Sequence, residues 1–283
     1  MRSFALSAVL VCASVFGGWV GATASSTSEC IEQWMNGPHR AGGNADRNAF
    51  RHPKETLTFF GLQPSMTVVE IWPSGGWYTE ILAPVLRDGG KYYAAGFSLT
   101  AKRTPAWRKK VQREFQSKLA AHPELYDRVI VTELSIPERT EMAPPGSADM
   151  VGSADMVLTF RNVHNWMKGD YAPGMFEAIF AALKPGAVLG VVEHRAPKGT
   201  SREQMVKSGY VTESHIKMLA KNVGFRFVAS SEVNANPKDT ADHPAGVWTL
   251  PPTLRLGNKD QAKYLAIGES DRMTLRFIKP ARK

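Results

Sequence analysis

Cysteine is almost absent from this 283-residue chain, which holds only Cys12 and Cys30. Neither these cysteines nor the seven histidines fall at Cys-x-x-Cys or His-x-x-x-His spacing, so no metal site is expected. Long apolar runs are missing too. The longest, Phe4 to Val20, is broken by Ser7, Ser14 and Gly17-Gly18 and falls short of the ~20 residues that a membrane span needs. Arg2 precedes that run, and the small-x-small triplet Ala22-Thr23-Ala24 follows it. This is the layout of a cleaved secretory signal peptide over residues 1–24. The protein is therefore expected to be exported, either to the periplasm or secreted, with no transmembrane span in the mature chain. Cleavage would remove Cys12 and leave Cys30 without an internal partner. A fold in that position must be held by its core.

Acidic residues are in deficit. The chain has 35 Lys and Arg against 26 Asp and Glu, a formal charge of +9, and loss of Arg2 gives +9 − 1 = +8. A basic balance favours anionic surfaces or substrates and says nothing of fold. No basic-aromatic motif accompanies it, so nucleic acid is not an expected partner.

What the sequence does contain is alternation of strand and helix patterns. Residues 25–45 are rich in Ser, Gly and Asn and read as a flexible N-terminal arm, with the folded domain spanning 46–283. Pro53 and Gly61 bracket a short helix. Strand patterns follow at 66–72, 91–97, 127–134, 155–160, 187–193, 225–230 and 273–278. Helical patterns separate the first six. Pro84 interrupts one of them, at a cost of one backbone bond. In the helix after Thr104-Pro105, Trp107, Val111, Phe115 and Leu119 form the apolar face, and Arg108, Lys109, Lys110 and Arg113 read as a solvated basic face. Two tandem copies of Gly-Ser-Ala-Asp-Met-Val at 146–157 are too short for a structural repeat. A polar, Pro-rich excursion fills 234–270. The expected fold is α/β: a doubly wound, seven-stranded, mostly parallel sheet whose last strand runs antiparallel.

The most informative stretch is Thr67-Val68-Val69-Glu70-Ile71-Trp72-Pro73-Ser74-Gly75-Gly76-Trp77-Tyr78-Thr79-Glu80-Ile81-Leu82. It reads as a buried strand closed by an acid, a small-residue turn and a helix. Such a junction suits a nucleotide-type ligand. Pro73-Ser74-Gly75-Gly76 lacks the Gly two residues before Ser74 that a serine nucleophile elbow needs, which argues against a hydrolase. A nicotinamide glycine fingerprint is missing as well.

Taken with Asp155-Met156-Val157-Leu158-Thr159, Asn162-Val163-His164-Asn165-Trp166, Leu183-Lys184-Pro185-Gly186, Val192-Glu193-His194-Arg195-Ala196 and Asp271-Arg272-Met273-Thr274-Leu275, the chain resembles the class I S-adenosylmethionine-dependent methyltransferases. More closely, it is similar to a family of predicted exported bacterial methyltransferases. The resemblance spans residues 46–280 and implies a Rossmann-like methyltransferase fold that uses S-adenosylmethionine. It implies that Glu70, Trp72, Ser74, Gly75, Gly76 and Tyr78 hold the cofactor, with Trp72 and Ser74 where two glycines are usual. The second strand ends Ala94-Ala95-Gly96-Phe97-Ser98, without the acid usual there. Phe160, Arg161, Asn162, His164 and Trp166 would line the acceptor side, with Asn162 holding a polar atom and His164 accepting a proton. His164, Trp166 and His194 also suit plain packing roles. The acceptor would be a small molecule of unidentified kind. A non-catalytic, repurposed binding protein of the cell envelope that keeps this fold stands as the alternative.

Overall fold

Alternate residues along the central strands face opposite ways, and both ways are apolar. The computed structural model describes residues 26–134 and 151–281. The signal-peptide segment and most of the first tandem copy lie outside them. Seven strands form one sheet: β1 (Thr67–Ile71), β2 (Lys91–Gly96), β3 (Ile130–Glu133), β4 (Ala154–Phe160), β5 (Leu183–His194), β6 (Arg226–Ser231) and β7 (Arg272–Ile278). Their order is β3-β2-β1-β4-β5-β7-β6. The first five pair in parallel, and β7 runs antiparallel between β5 and β6. The expected fold class is therefore the observed one.

Val69, Ile71, Val157, Leu189 and Val191 face one helical layer, which contributes Phe176, Ile179, Ile216 and Leu219. Their neighbours Val68, Met156, Leu158, Val188 and Val192 face the other, which contributes Ile31, Leu57, Ile81, Leu82 and Phe115. A sheet covered on both faces demands this period-two burial. Each fully buried aliphatic side chain contributes about 1.5–3 kcal/mol. β1 lies between β2 and β4, where the strand order reverses. Open α/β sheets place their ligands outside the carboxyl ends of strands at such a point.

The N-terminal segment departs from expectation. Residues 27–35 form a helix instead of a flexible arm. Ser26 and Glu29 close a capping box at its start, and Cys30 and Ile31 are fully buried. Cys30 is disulfide-bonded, whereas the sequence had left it without an internal partner; Cys12 lies outside the described residues. Beyond this helix the segment clamps the helix Thr79–Leu86. Arg40 pairs with the fully buried Glu80 at 3.1 Å, and Lys118 contacts the same carboxylate. Asn44 Nδ2 donates to Glu80 Oε1 at 3.0 Å.

The clamp also resolves Pro84. This proline sits inside the helix, so the Glu80 carbonyl loses its usual N–H partner four residues on. His39 Nε2 meets that carbonyl at 2.7 Å instead. A buried carbonyl left unpaired would cost about 1–3 kcal/mol.

Candidate functional site

The chain leaves β1 at Ile71 and turns sharply through a strained loop. Trp72 has φ 49°, Ser74 φ 53° and Gly76 φ 74°. All three lie in the left-handed region, which costs a non-glycine residue about 1–2 kcal/mol. The backbone thus follows a glycine-type loop through two positions that are not glycine. Trp72 N–H donates to the Ala95 carbonyl at 2.8 Å, which ties the loop to β2. Gly76 is fixed by packing: a Cβ there would meet the Phe115 ring at 3.0 Å. Gly75 faces open space, and its carbonyl accepts from Lys118 Nζ at 2.9 Å.

A cavity of about 490 Å³ opens over this loop and over the carboxyl ends of β4 and β5. Among the site residues named from the sequence, Glu70, Trp72, Ser74, Tyr78, Asn162 and His164 line it. Gly75 and Gly76, also named from the sequence, shape the turn beside it and are not among its lining residues.

One wall is built of rings. Trp72 packs on Phe97 at 4.8 Å between centroids. The Arg108 guanidinium lies 4.6 Å from the Trp72 ring, 5.1 Å from Phe97 and 5.1 Å from Trp107. This corrects the solvated-face reading of Arg108, which is buried. Helical spacing marks which side of a helix a residue occupies, but here the cavity wall lies beside the basic stripe. Tyr78 stacks on Phe160 at 3.6 Å and 10°. Burial pushes the Tyr78 hydroxyl up to about 12, so the ring stays neutral.

Glu70 is buried at the end of β1. Its Oε2 accepts from Tyr92 at 2.5 Å and Thr79 at 3.3 Å. Burial raises its carboxyl to about 7, and those two hydrogen bonds oppose the rise. Among the described residues no acid from the end of β2 lines the cavity.

The other wall is ionic. Asn162 Nδ2 donates to the Ile71 carbonyl at 2.9 Å and to Thr159 Oγ1 at 3.2 Å. Its amide nitrogen therefore stitches β4 to β1 instead of being free to hold a substrate atom. His164 is placed by the helix Val163–Lys168 directly after this strand end. Its Nδ1 meets Glu193 Oε1 at 3.0 Å, and Asn165 Nδ2 meets its Nε2 at 3.0 Å. A carboxylate on one nitrogen and an amide donor on the other select the tautomer with Nε2 as acceptor. Trp166 instead is fully buried in the core.

His194 ends β5, with Nδ1 2.6 Å from Ser270 Oγ. Burial holds it well below its usual range, and His164, Arg161, Arg272 and Arg51 push it further down. His164, Glu193 and His194 each offer one ligand atom within 4.8 Å of the others, a grouping the scattered sequence positions hid. Its donor types suit a metal ion, but Glu193 already accepts from His164 Nδ1 and from the His164 and His194 backbone N–H groups. The nearby arginines further oppose a cation, and the trio fits proton handling better.

Several wall residues escaped the sequence reading. Phe97, Trp107, Asn165, Trp248, Glu269 and Ser270 line the cavity. The last three come from the Pro-rich excursion, which folds back over the site. Its only local signal was its length, since long excursions in compact domains tend to carry function.

No family model matches the chain, and no curated protein matches it. Solved structures do. A SAM-dependent methyltransferase from Aquifex aeolicus superposes with TM-score 0.53 at 16% identity, over 90% of this chain and 99% of that one. The CurJ carbon methyltransferase gives 0.51 at 14% identity, over 86% of this chain and 57% of that one. The [4+2]-cyclase SpnF gives 0.50 at 16% identity, over 84% of this chain and 82% of that one. At these identities the likeness is one of fold: the chain shares the seven-stranded Rossmann-like architecture of these proteins.

Proposed function

We propose that the protein is an exported methyltransferase that uses S-adenosylmethionine to methylate a small acceptor. The observation that carries this reading is a single cavity joining the left-handed loop after β1 to the His164–Glu193 pair. The fold likeness to methyltransferases supports it, and the cyclase of similar architecture shows why fold alone does not suffice.

The cavity residues fit such a cofactor. The turn at Trp72, Ser74 and Gly76 keeps the conformation of a glycine loop, and the volume accommodates a small ligand. Trp72, Ser74 and Tyr78 would hold it with the newly placed Phe97, Trp107 and Arg108. Glu70 would act chiefly through Tyr92 and Thr79, bracing the loop's helix. When bound, the cofactor supplies an electrophilic methyl group.

The chain's own residues would then orient the acceptor and remove its proton. His164 Nε2 is the acceptor atom for that proton. Glu193 fixes the ring through Nδ1 and stabilises the imidazolium that forms. Asn165 sits where it can hand its place on Nε2 to an acceptor hydroxyl or amine.

Calorimetric titration of the chain with S-adenosylmethionine and S-adenosylhomocysteine tests the reading. Micromolar binding is expected for the second. Absence of binding at millimolar cofactor overturns the proposal. That outcome would favour the non-catalytic binding protein, for which the acid-free end of β2 speaks. Export is tested separately: mass spectrometry of the exported fraction should show a chain starting near Ser25.

A further inference from the structure

The geometry points to an oxyanion on the acceptor, a carboxylate or a phosphate, held by the Arg161 guanidinium. This inference rests on the methyl-transfer reading of the same cavity. Arg161 follows β4 directly and lines the cavity while half-buried. Its backbone lies in the left-handed region at φ 61°. A non-glycine residue held there is strained, and such strain gathers at ligand sites. Among the described residues its guanidinium makes no hydrogen bond or ion pair.

The carboxylate whose charge bears most on Arg161, Glu269, is already taken. Glu269 meets Arg47 at 2.6 Å, Arg51 at 3.2 Å and Arg272 at 2.5 Å. Three guanidinium groups thus contact one carboxylate, and the charge of a fourth, Arg161, acts on it without an ion pair. Arg47 Nη2 and Arg51 Nη1 remain buried without a partner. Burial alone would raise the Glu269 carboxyl. Arg272, Arg51, Arg161 and Arg47 overcome this and hold it down to about 2. Burial and the neighbouring Arg272 bring Arg161 itself down to about 10, still charged at neutral pH. Glu70, raised to about 7, adds only part of a compensating charge. The cluster is short of anions, and its one arginine whose guanidinium makes no hydrogen bond or ion pair among the described residues lines the cavity.

A guanidinium presents a planar fork of donors that matches an oxyanion in bidentate fashion. Phe160, the neighbour of Arg161 in sequence, and Trp248 line the same cavity and supply flat apolar surface. A small flat carboxylate or phosphate ester satisfies both. The second large cavity carries no comparable excess. There Arg195 is matched by Asp271 at 2.8 Å and Glu232 at 2.7 Å.

The cofactor carries a carboxylate of its own, so the oxyanion has two sources. The placement favours the acceptor. Arg161 follows β4, and the charges that bear most on its guanidinium are Arg272, Glu269 and Arg47, none of them in the loop after β1, with Tyr78 behind them.

The test titrates the full chain by calorimetry with benzoate, phenyl phosphate and benzamide, and separately with S-adenosylhomocysteine. Wild type should bind benzoate or phenyl phosphate about 10- to 100-fold more tightly than the neutral benzamide. Arg161→Gln should erase that preference, and Arg161→Lys should keep part of it. S-Adenosylhomocysteine affinity should move less than about threefold in either variant. Equal binding of charged and neutral probes by wild type overturns the inference, and needs no variant to fold. Equal losses of benzoate and S-adenosylhomocysteine in Arg161→Gln overturn it too, assigning the oxyanion to the cofactor. A wild type that prefers the anions yet ignores both cofactor forms overturns methyl transfer and sustains the oxyanion site.

Discussion

On the β1–β2 side the cavity wall is made of rings, with Trp72, Phe97 and Trp107 gathered around one buried arginine. On the β5–β7 side it is made of ions, with four arginines, Glu269 and the His164–Glu193 pair within a few side chains of one another. The ring wall offers dispersion and stacking, which tolerate many flat ligands. The ionic wall offers direction, charge and a proton acceptor. One side is thus equipped to hold a ligand and the other to act on it. Substitutions can test whether this division is real.

The largest effect is expected from His164→Ala. Loss of a general base should slow methyl transfer to a responsive small carboxylate by about 100- to 10,000-fold. S-Adenosylhomocysteine affinity should hardly move. Phe97→Ala should do the reverse, weakening S-adenosylhomocysteine by roughly 5- to 150-fold through lost stacking. Radiolabelled methyl transfer and calorimetry on both variants read the contrast. If each variant disturbs both measurements alike, the division of labour is wrong.

Next comes the clamp beneath the ring wall. Glu80→Ala leaves the buried Arg40 without its carboxylate, and should cost about 3–5 kcal/mol. Urea unfolding of the variant measures it. A loss below 1 kcal/mol would mean that the N-terminal segment does not hold the loop's helix. The ionic wall should feel this change less, because Arg47, Arg51 and Arg272 are anchored on Glu269.

The sheet was legible in the sequence because its signal is local. Val68-Val69 and Ala187 to Val192 are apolar on both faces, which only a doubly covered strand requires. The end of β1 located the site for the same reason. The clamp was half legible. Ser26-x-x-Glu29 is a capping-box signature, hidden by the polar composition around it. His39 was not legible, because its task arises only once Pro84 opens a carbonyl beside it in space. The His164–Glu193–His194 grouping depends on β4 and β5 ending side by side, so no spacing rule along the chain could find it. The conformation at Trp72 and Ser74 runs against residue preference, since glycine is the expected occupant.

Glu70 sharpens the comparison through pH. The unfolded chain releases this proton near 4.5, whereas the folded chain keeps it to about 7. Folding therefore loses stability as pH rises through that window, by up to about 1.4 kcal/mol per pH unit, and the loss then levels off. Glu70→Gln removes the titrating group. Its stability relative to wild type should climb between pH 4.5 and 7, to a difference on the order of 3 kcal/mol, and stay flat above. A pH-independent difference between the two would show that the carboxyl is not held neutral in the folded state.

The smallest effect lies in the loop itself. Ser74 pays for its left-handed backbone, about 1–2 kcal/mol, and its side chain returns only a long 3.4 Å contact to the Trp72 carbonyl. Glycine adopts the same φ without strain but loses more freedom on folding, about 0.5–1 kcal/mol. Ser74→Gly should therefore stabilise the chain by roughly 0.5–1 kcal/mol, a small rise in urea midpoint at constant slope. Trp72→Gly relieves the same strain but deletes a buried indole packed on Phe97, so it should destabilise by about 3–5 kcal/mol. The two substitutions differ in sign although they relax equivalent backbone positions. If Ser74→Gly stabilises and also leaves S-adenosylhomocysteine binding intact, the strain serves nothing beyond the sequence's history at that position. If it stabilises but weakens binding, the Ser74 hydroxyl belongs to the ligand, and the ring wall is less purely apolar than its rings suggest.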